Sequence, residues 1–329
     1  TRSLLVTGVQ TCALPIYTPD FEEYFKKAVS ECENICLDID DTREERDYTE
    51  AHRFARRMKE EYPAKKIVNI RPALAEIRTI KADCEIDAMR EAVRITGEGI
   101  KAMMHGVRDG MKEYEIKGLY DSALLANGCL EPAFPSIISA GQNNFCIHYY
   151  AYSGTAHTGD MVLCDVGACY DFIGCDISRG FPLDGKFSDR QRKLYEAAYA
   201  TSQHLFDIIK PGYLMEEVDR EAQRFCYTYL HDYGLVDKPE HIGKLMWHGG
   251  SHHVGFDTHD IVKRPEIIAP GMVFCVDIGI YCEEWGIGFR LEDNCHVTEN
   301  GCENLGIHVP RTIEEIENEI GRASCRERV

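Results

Sequence analysis

Apolar residues recur along this chain at two periods, and the switches between them mark out the elements. From about position 80, CEIDAMREAVRITGEGIKAMMHG and YEIKGLYDSALLANG place apolar residues every three to four positions, the period of an amphipathic helix. SDRQRKLYEAAYATSQHLFDIIKPG and EEVDREAQRFCYTYLHDYG do so again further on. In the third segment Ser188 and Gln191 stand at capping-box spacing, and Pro211-Gly212 ends the helix. Each helix pair is followed by apolar strand sequence folded about a polar tip. The first, MVLCDVGACYDFIGCDISRGFP, turns near Tyr170-Asp171; the second, GMVFCVDIGIYCEEWGIGFRLEDNCHVTENG, turns near Glu284-Trp285. Their openings, MVLC-DVG and MVFCVDIG, resemble one another, so the pattern predicts an α+β fold made of a duplicated helix–helix–hairpin unit. The preceding stretch, 17–77, has a charged helical run and the short apolar piece KIVNI. That is too little for an independent core, and it reads as the remnant of a truncated N-terminal domain.

Composition narrows the function classes. The 329 residues are 44% apolar with a net charge of -18. An acidic surface argues against nucleic acid or an anionic membrane as partner, and no apolar run is long enough to span a bilayer. The fifteen cysteines contain no C-x-x-C pair and are scattered through apolar segments such as VLCDV and VFCVD. They read as reduced, mostly buried thiols, which predicts a cytoplasmic protein. Both ends are suspect: VTGVQTCALPI and EIGRASCRERV match reading frames of the two partner adapters of a common sequencing chemistry. Residues 1–16 and 321–329 are therefore expected to be adapter-derived, leaving 78–320 as the catalytic region.

Candidate chemistry begins with acids in apolar strands. Counting outward from the tips places Asp165 opposite Asp176, and Asp277 opposite Glu292. Like charges facing one another in apolar sequence destabilise a sheet unless a cation lies between them. The alternative is a set of strand-end acids open to solvent, and two matched pairs argue against it. Four carboxylates and an imidazole form a hard, oxygen-rich set suited to manganese or cobalt, or to zinc in a binuclear arrangement. The imidazoles are concentrated in HGGSHHVGFDTHD, at 248–260. His248 and His252 are four apart, but Gly249-Gly250 disfavours a helix, and no H-E-x-x-H motif is present. These histidines are expected on a loop or strand, with any metal partners drawn from elsewhere.

The blocks DVGACYDFIGCDISRGFP, HGGSHHVGFDTHD and GIGFRLEDNCHVTENGCENL, with ISAGQNNFCIHYYA before them, resemble the signature blocks of the pita-bread metallopeptidases. That family includes Xaa-Pro aminopeptidase, prolidase, methionine aminopeptidase and the metal-free creatinase. The resemblance covers roughly 78–320, and the Ser251-His252 pairing looks most like the Xaa-Pro aminopeptidase branch. It implies a pita-bread fold, with the duplicated units around a curved antiparallel sheet. It also implies five metal ligands: Asp165 on one cation, Asp176 and Glu292 bridging two, and His252 and Asp277 completing the second. His148 and His259 would hold the substrate carbonyl or the tetrahedral oxyanion. His248 would line the substrate pocket, Arg290 would orient a carboxylate, and His253 would pack. The implied reaction is cleavage of an N-terminal Xaa-Pro bond by a hydroxide bridging two divalent cations, most simply Mn2+, with Co2+ or Zn2+ as alternatives. Asp277 would accept the proton. The family usually has glutamate at that position, so rate and metal preference are open. The partner implied is a peptide with proline second, and the full-length protein would be a homo-oligomer. Competing readings are prolidase, a catalytically weak pita-bread binding module, and a metal-free creatinase-like hydrolase.

Overall fold

The structure, a computed structural model, describes residues 18–326 except 45, 47 and 264–266. The suspected adapter segment 1–16 lies outside the described residues, as does 327–329. The chain divides into two compact units, Thr1–Ala75 and Glu76–Val329.

The first unit carries α1 (Phe21–Glu31), β1 (Asn34–Leu37), α2 (Glu50–Glu61) and β2 (Lys66–Asn69); β1 and β2 pair in parallel. Its core is small. Val29, Ile35 and Met58 are buried, with Phe25, Phe54 and Tyr62 packed against them. Helix α3 (Arg71–Thr79) follows.

The second unit repeats one plan twice. Helices α4 (Asp83–Gly106) and α5 (Glu113–Ala126) precede β3 (Ile137–Ala140), β4 (Met161–Val166) and β7 (Ile177–Pro182). The two-residue strands β5 (Cys169–Tyr170) and β6 (Ile173–Gly174) form the tip of that hairpin. Helices α6 (Asp189–Ile208) and α7 (Met215–Asp232) then precede β8 (Val273–Cys282), β9 (Ile287–Val297) and β10 (Cys302–Asn304), and α8 (Ile313–Arg326) follows. The four helices expected from the apolar period are all present. In α4 the buried residues Ile86, Met89, Val93, Ile100 and Met103 keep helical spacing. The capping box forms as expected: Gln191 N donates to Ser188 Oγ, and Ser188 N donates to the Gln191 side chain at 2.8 Å.

Six strands form one antiparallel sheet in the order β10-β9-β7-β4-β3, with β8 also paired to β9. The two hairpins meet at a single registered pair, Ser178 with Glu292. Arg179, fully buried, fastens this seam from the other face. Its NH1 donates to the Ser178 and Glu292 carbonyls at 2.9 and 2.7 Å, and its NH2 donates to Asp293 Oδ1 at 2.7 Å. Arg311 pairs with the other Asp293 oxygen at 3.1 Å, so one buried acid is flanked by two guanidinium groups.

One register differs from expectation. Asp165 faces Ser178, not Asp176. The turn is centred on Asp171-Phe172, both at left-handed φ (49° and 69°), rather than on Tyr170-Asp171. Such a φ is uncommon for a bulky aromatic residue, so the polar pair was the natural choice of tip. Moving the tip by one residue moves the partner by two. That preserves the face, and Asp176 stays on the same side of the sheet as Asp165. The second hairpin pairs Asp277 with Glu292 as counted.

Removing one partner from a buried, hydrogen-bonded ion network typically costs about 3–5 kcal/mol. Arg179→Ala is expected to lower the melting temperature by on the order of 10 °C. A shift under about 2 °C would show that the seam does not depend on this residue. We also propose that residues 321–329 add nothing to the core, whose packing in α8 reaches Ile320. A protein ending at 320 is then expected to melt at the parental temperature, and a clear drop would assign the tail to the fold.

Candidate active site

The floor of the site is a row across four strands. Asp165 on β4 faces Ser178 on β7, Ser178 faces Glu292 on β9, and Glu292 faces Asp277 on β8. Asp176 joins the row just ahead of β7. Its backbone is held by Asn294, whose amide exchanges two hydrogen bonds of 3.0 Å with Asp176 N and O. Ser178 Oγ donates to Glu292 Oε2 at 2.6 Å.

The walls come from two loops. The segment 248–260 runs along β8, where Cys275 N donates to the His252 carbonyl at 2.8 Å. It is a loop, as the paired glycines predicted, and each glycine has a neighbour that excludes a side chain. A Cβ on Gly249 would lie 2.5 Å from Asp219 Oδ2, and one on Gly250 would lie 2.4 Å from the Asp277 carbonyl. Asp219 accepts from the Gly250 and Ser251 amides at 3.2 and 3.1 Å, and so fixes the entry to His252. Lys81 holds the far end of the loop through Asp260 at 2.9 Å. The other loop carries His148. Glu113, buried at the start of α5, accepts from Ala140 N, Asn143, the Tyr149 hydroxyl and Gly154 N.

All nine residues singled out in the sequence line one cavity of about 560 Å3: His148, Asp165, Asp176, His248, His252, His259, Asp277, Arg290 and Glu292. Phe134, Ile137, Ile147 and Tyr150 add an apolar side. His253 is turned away, buried beside Phe274. Arg290 orients Asp165, donating to its Oδ2 at 2.7 Å, and also donates to the Tyr281 hydroxyl at 2.8 Å. That hydroxyl lies 3.0 Å from His248 Nε2.

The charges are poorly compensated by protein groups. Burial pushes the Asp277 carboxyl up to about 8, partly opposed by Arg290. Burial first, and then neighbouring carboxylates, hold Asp176 and Glu292 well above the usual range. One buried oxygen each of Asp165, Asp176 and Asp277 has no hydrogen-bond partner. His252 Nε2 lies 3.8 Å from both Asp176 Oδ2 and Glu292 Oε1. Burial, followed by the nearby His259, depresses the His252 imidazole and favours its neutral, metal-ligating form. Orphaned carboxylate oxygens around a neutral imidazole are what divalent cations require, so the residues present fit such ions.

Sequence reasoning missed Ser178, Asn294, Asp219, Glu113 and Tyr281, none of which belongs to a metal-ligand or acid–base pattern. It also missed Cys275, which it placed among the buried thiols. Its Sγ joins Asp176, His252 and Glu292 in a group whose ligand atoms all lie within 4.8 Å of one another.

Residues 87–299 match the model of metallopeptidase family M24. The Xaa-Pro aminopeptidase of Escherichia coli is 33% identical over 270 residues, covering 76% of this chain and 61% of that protein. Human Xaa-Pro dipeptidase is 29% identical over 303 residues, covering 75% and 61%. Zinc-substituted E. coli aminopeptidase P in complex with product superposes with a TM-score of 0.81 at 27% identity, covering 93% of this chain and 74% of that one. The pita-bread architecture expected from the motifs is the one observed. The chain spans about three-fifths of the length of these two curated relatives.

The raised carboxyls give a pH dependence of defined sign. A carboxyl with a raised folded-state pKa keeps a proton that the unfolded chain has already released. Cation-free protein therefore loses stability as pH rises from the unfolded value of about 4 toward the Asp277 value of about 8. In chelator, the melting temperature should fall from pH 5 to pH 8, and less steeply in Asp277→Asn. Parallel profiles for parent and variant would contradict this.

Proposed function

Because this chain belongs to metallopeptidase family M24, we propose that it is an aminopeptidase hydrolysing the bond between an N-terminal residue and a following proline. The observation that supports this best is the convergence of four carboxylates, Asp176 and Glu292 buried and Asp165 and Asp277 partly so, with four imidazoles in one cavity. Asp165, Asp176, His252, Asp277 and Glu292 would hold two divalent cations, with manganese favoured by the oxygen-rich donors and cobalt or zinc as alternatives. When bound, such ions supply Lewis acidity and lower the pKa of a water nucleophile toward about 7.

The protein groups then divide the remaining work. Asp277, its Oδ2 3.5 Å from His248 Nδ1, takes the proton from the attacking water. His148 and His259 hold the substrate carbonyl as its oxygen gains charge. Arg290 keeps Asp165 oriented through the 2.7 Å hydrogen bond. The acidic floor receives the substrate's free amino group, and the apolar side at Phe134, Ile137 and Tyr150 receives the proline ring.

Xaa-Pro dipeptidase is the runner-up, because one relative of similar coverage carries that activity. Among the described residues no helix is long and apolar enough to cross a membrane. The free cysteines, seven of the thirteen described being buried, support a cytoplasmic location. Assembly of the full-length protein into a homo-oligomer is part of the proposal and rests on the family resemblance alone.

Elemental analysis after manganese loading should find roughly two ions per chain; a folded protein with almost none would remove the dinuclear reading. On a tripeptide with proline second, Asp277→Ala should lower kcat/KM at least ~100-fold, whereas Asp277→Glu should retain activity with a changed order among manganese, cobalt and zinc. Near-parental turnover by Asp277→Ala with every metal would exclude this residue as ligand and base. Cleavage of the dipeptide but not the tripeptide would favour the dipeptidase reading.

A further inference from the structure

Beneath the cavity floor, Cys275 is fully buried on β8, two residues before Asp277 and on the same face. One donor atom from each of Asp176, His252, Cys275 and Glu292 lies within 4.8 Å of every other. His252 Nε2 is already 3.8 Å from both carboxylates. A tetrahedral zinc or cobalt site with bonds of about 2.0–2.3 Å has donors about 3.3–3.8 Å apart, so small side-chain movements close this set around one ion. The imidazole is oriented for it: His252 Nδ1 faces the His253 carbonyl at 3.3 Å, leaving Nε2 turned toward the acids. Asp176 is 4% exposed, and its buried Oδ1 has no hydrogen-bond partner. The sulfur has an amide neighbour, Asn294 Nδ2 at 3.4 Å, of the kind that supports a ligating thiolate.

We propose that Cys275 is a sulfur ligand to one of the two cations, completing an Asp176–His252–Cys275–Glu292 site selective for thiophilic ions such as zinc and cobalt. In this set Cys275 takes the place beside His252 that the motifs gave to Asp277; the second position, with Asp165 and Asp277, has oxygen donors only and keeps the harder preference. The two positions then differ in metal identity, and the thiol proton leaves to solvent as the ion binds. The inference rests on the dinuclear reading above and adds to it a residue outside the five carried over by motif.

The test uses the full chain, stripped with chelator and reloaded anaerobically with cobalt(II) or zinc(II). Cobalt-loaded protein should hold roughly two ions and show a near-ultraviolet sulfur-to-cobalt charge-transfer band. X-ray absorption on the zinc form should find a sulfur scatterer at about 2.3 Å. Cys275→Ser and Cys275→Ala should lose the band and reduce zinc-over-manganese preference by about tenfold or more. Two bound cobalt ions without the band, only nitrogen and oxygen scatterers in the zinc form, or a band that survives in both variants would overturn the proposal while leaving the dinuclear reading intact. Failure of the folded parent to bind any cobalt would overturn both. If neither variant folds, the absorption measurement on the parent decides alone.

Discussion

Everything in the second unit is arranged around one electrostatic problem: acidic side chains converge on a site from which water is largely withdrawn. Asp176 and Glu292 are 4% and 2% exposed, and their carboxyls are driven upward by burial. A hydrophobic floor would be cheaper to fold. The chain instead keeps the acids and surrounds them with groups that fix position without neutralising them. Among the described residues only Arg290 pairs a full positive charge with one of these side chains, and it is committed to Asp165.

The supporting parts lie one layer out. Asn294 holds the backbone of Asp176, Ser178 holds Glu292, Asp219 holds the entry to His252, and Glu113 holds the loop of His148. Arg179 acts from the opposite face of the sheet, tying together the carbonyls of the one residue pair where the two hairpins meet. Asp176, Glu292 and the loops of His252 and His148 are thereby placed by protein neighbours before any ligand arrives. That is the requirement for a site whose chemistry depends on sub-ångström placement.

The second hairpin was legible from its sequence because its tip is short and polar. The glycine at 286 takes the left-handed φ of 65° that such a turn needs. The first was misread by one position because Phe172 occupies a left-handed conformation that no local rule assigns to an exposed phenylalanine. The error was harmless for function, since a shift of two along a strand keeps the face. A shift of one would have turned Asp176 into the opposite layer.

The sequence by itself determined the four long helices, the duplicated plan and nine of the residues that line the cavity. Helical period and hairpin alternation act within a few turns or a single hairpin, and the motif blocks lie along the chain in readable order. The tertiary structure alone decided which residues meet across the repeat. Ser178 reaches Glu292 over 114 positions, Asn294 reaches Asp176 over 118, and Arg290 reaches Asp165 over 125. It also decided that Cys275, one of fifteen cysteines in the chain, stands beside the acids. A local pattern cannot carry such pairings, because they depend on how two hairpins, each specified separately, pack against a common set of helices.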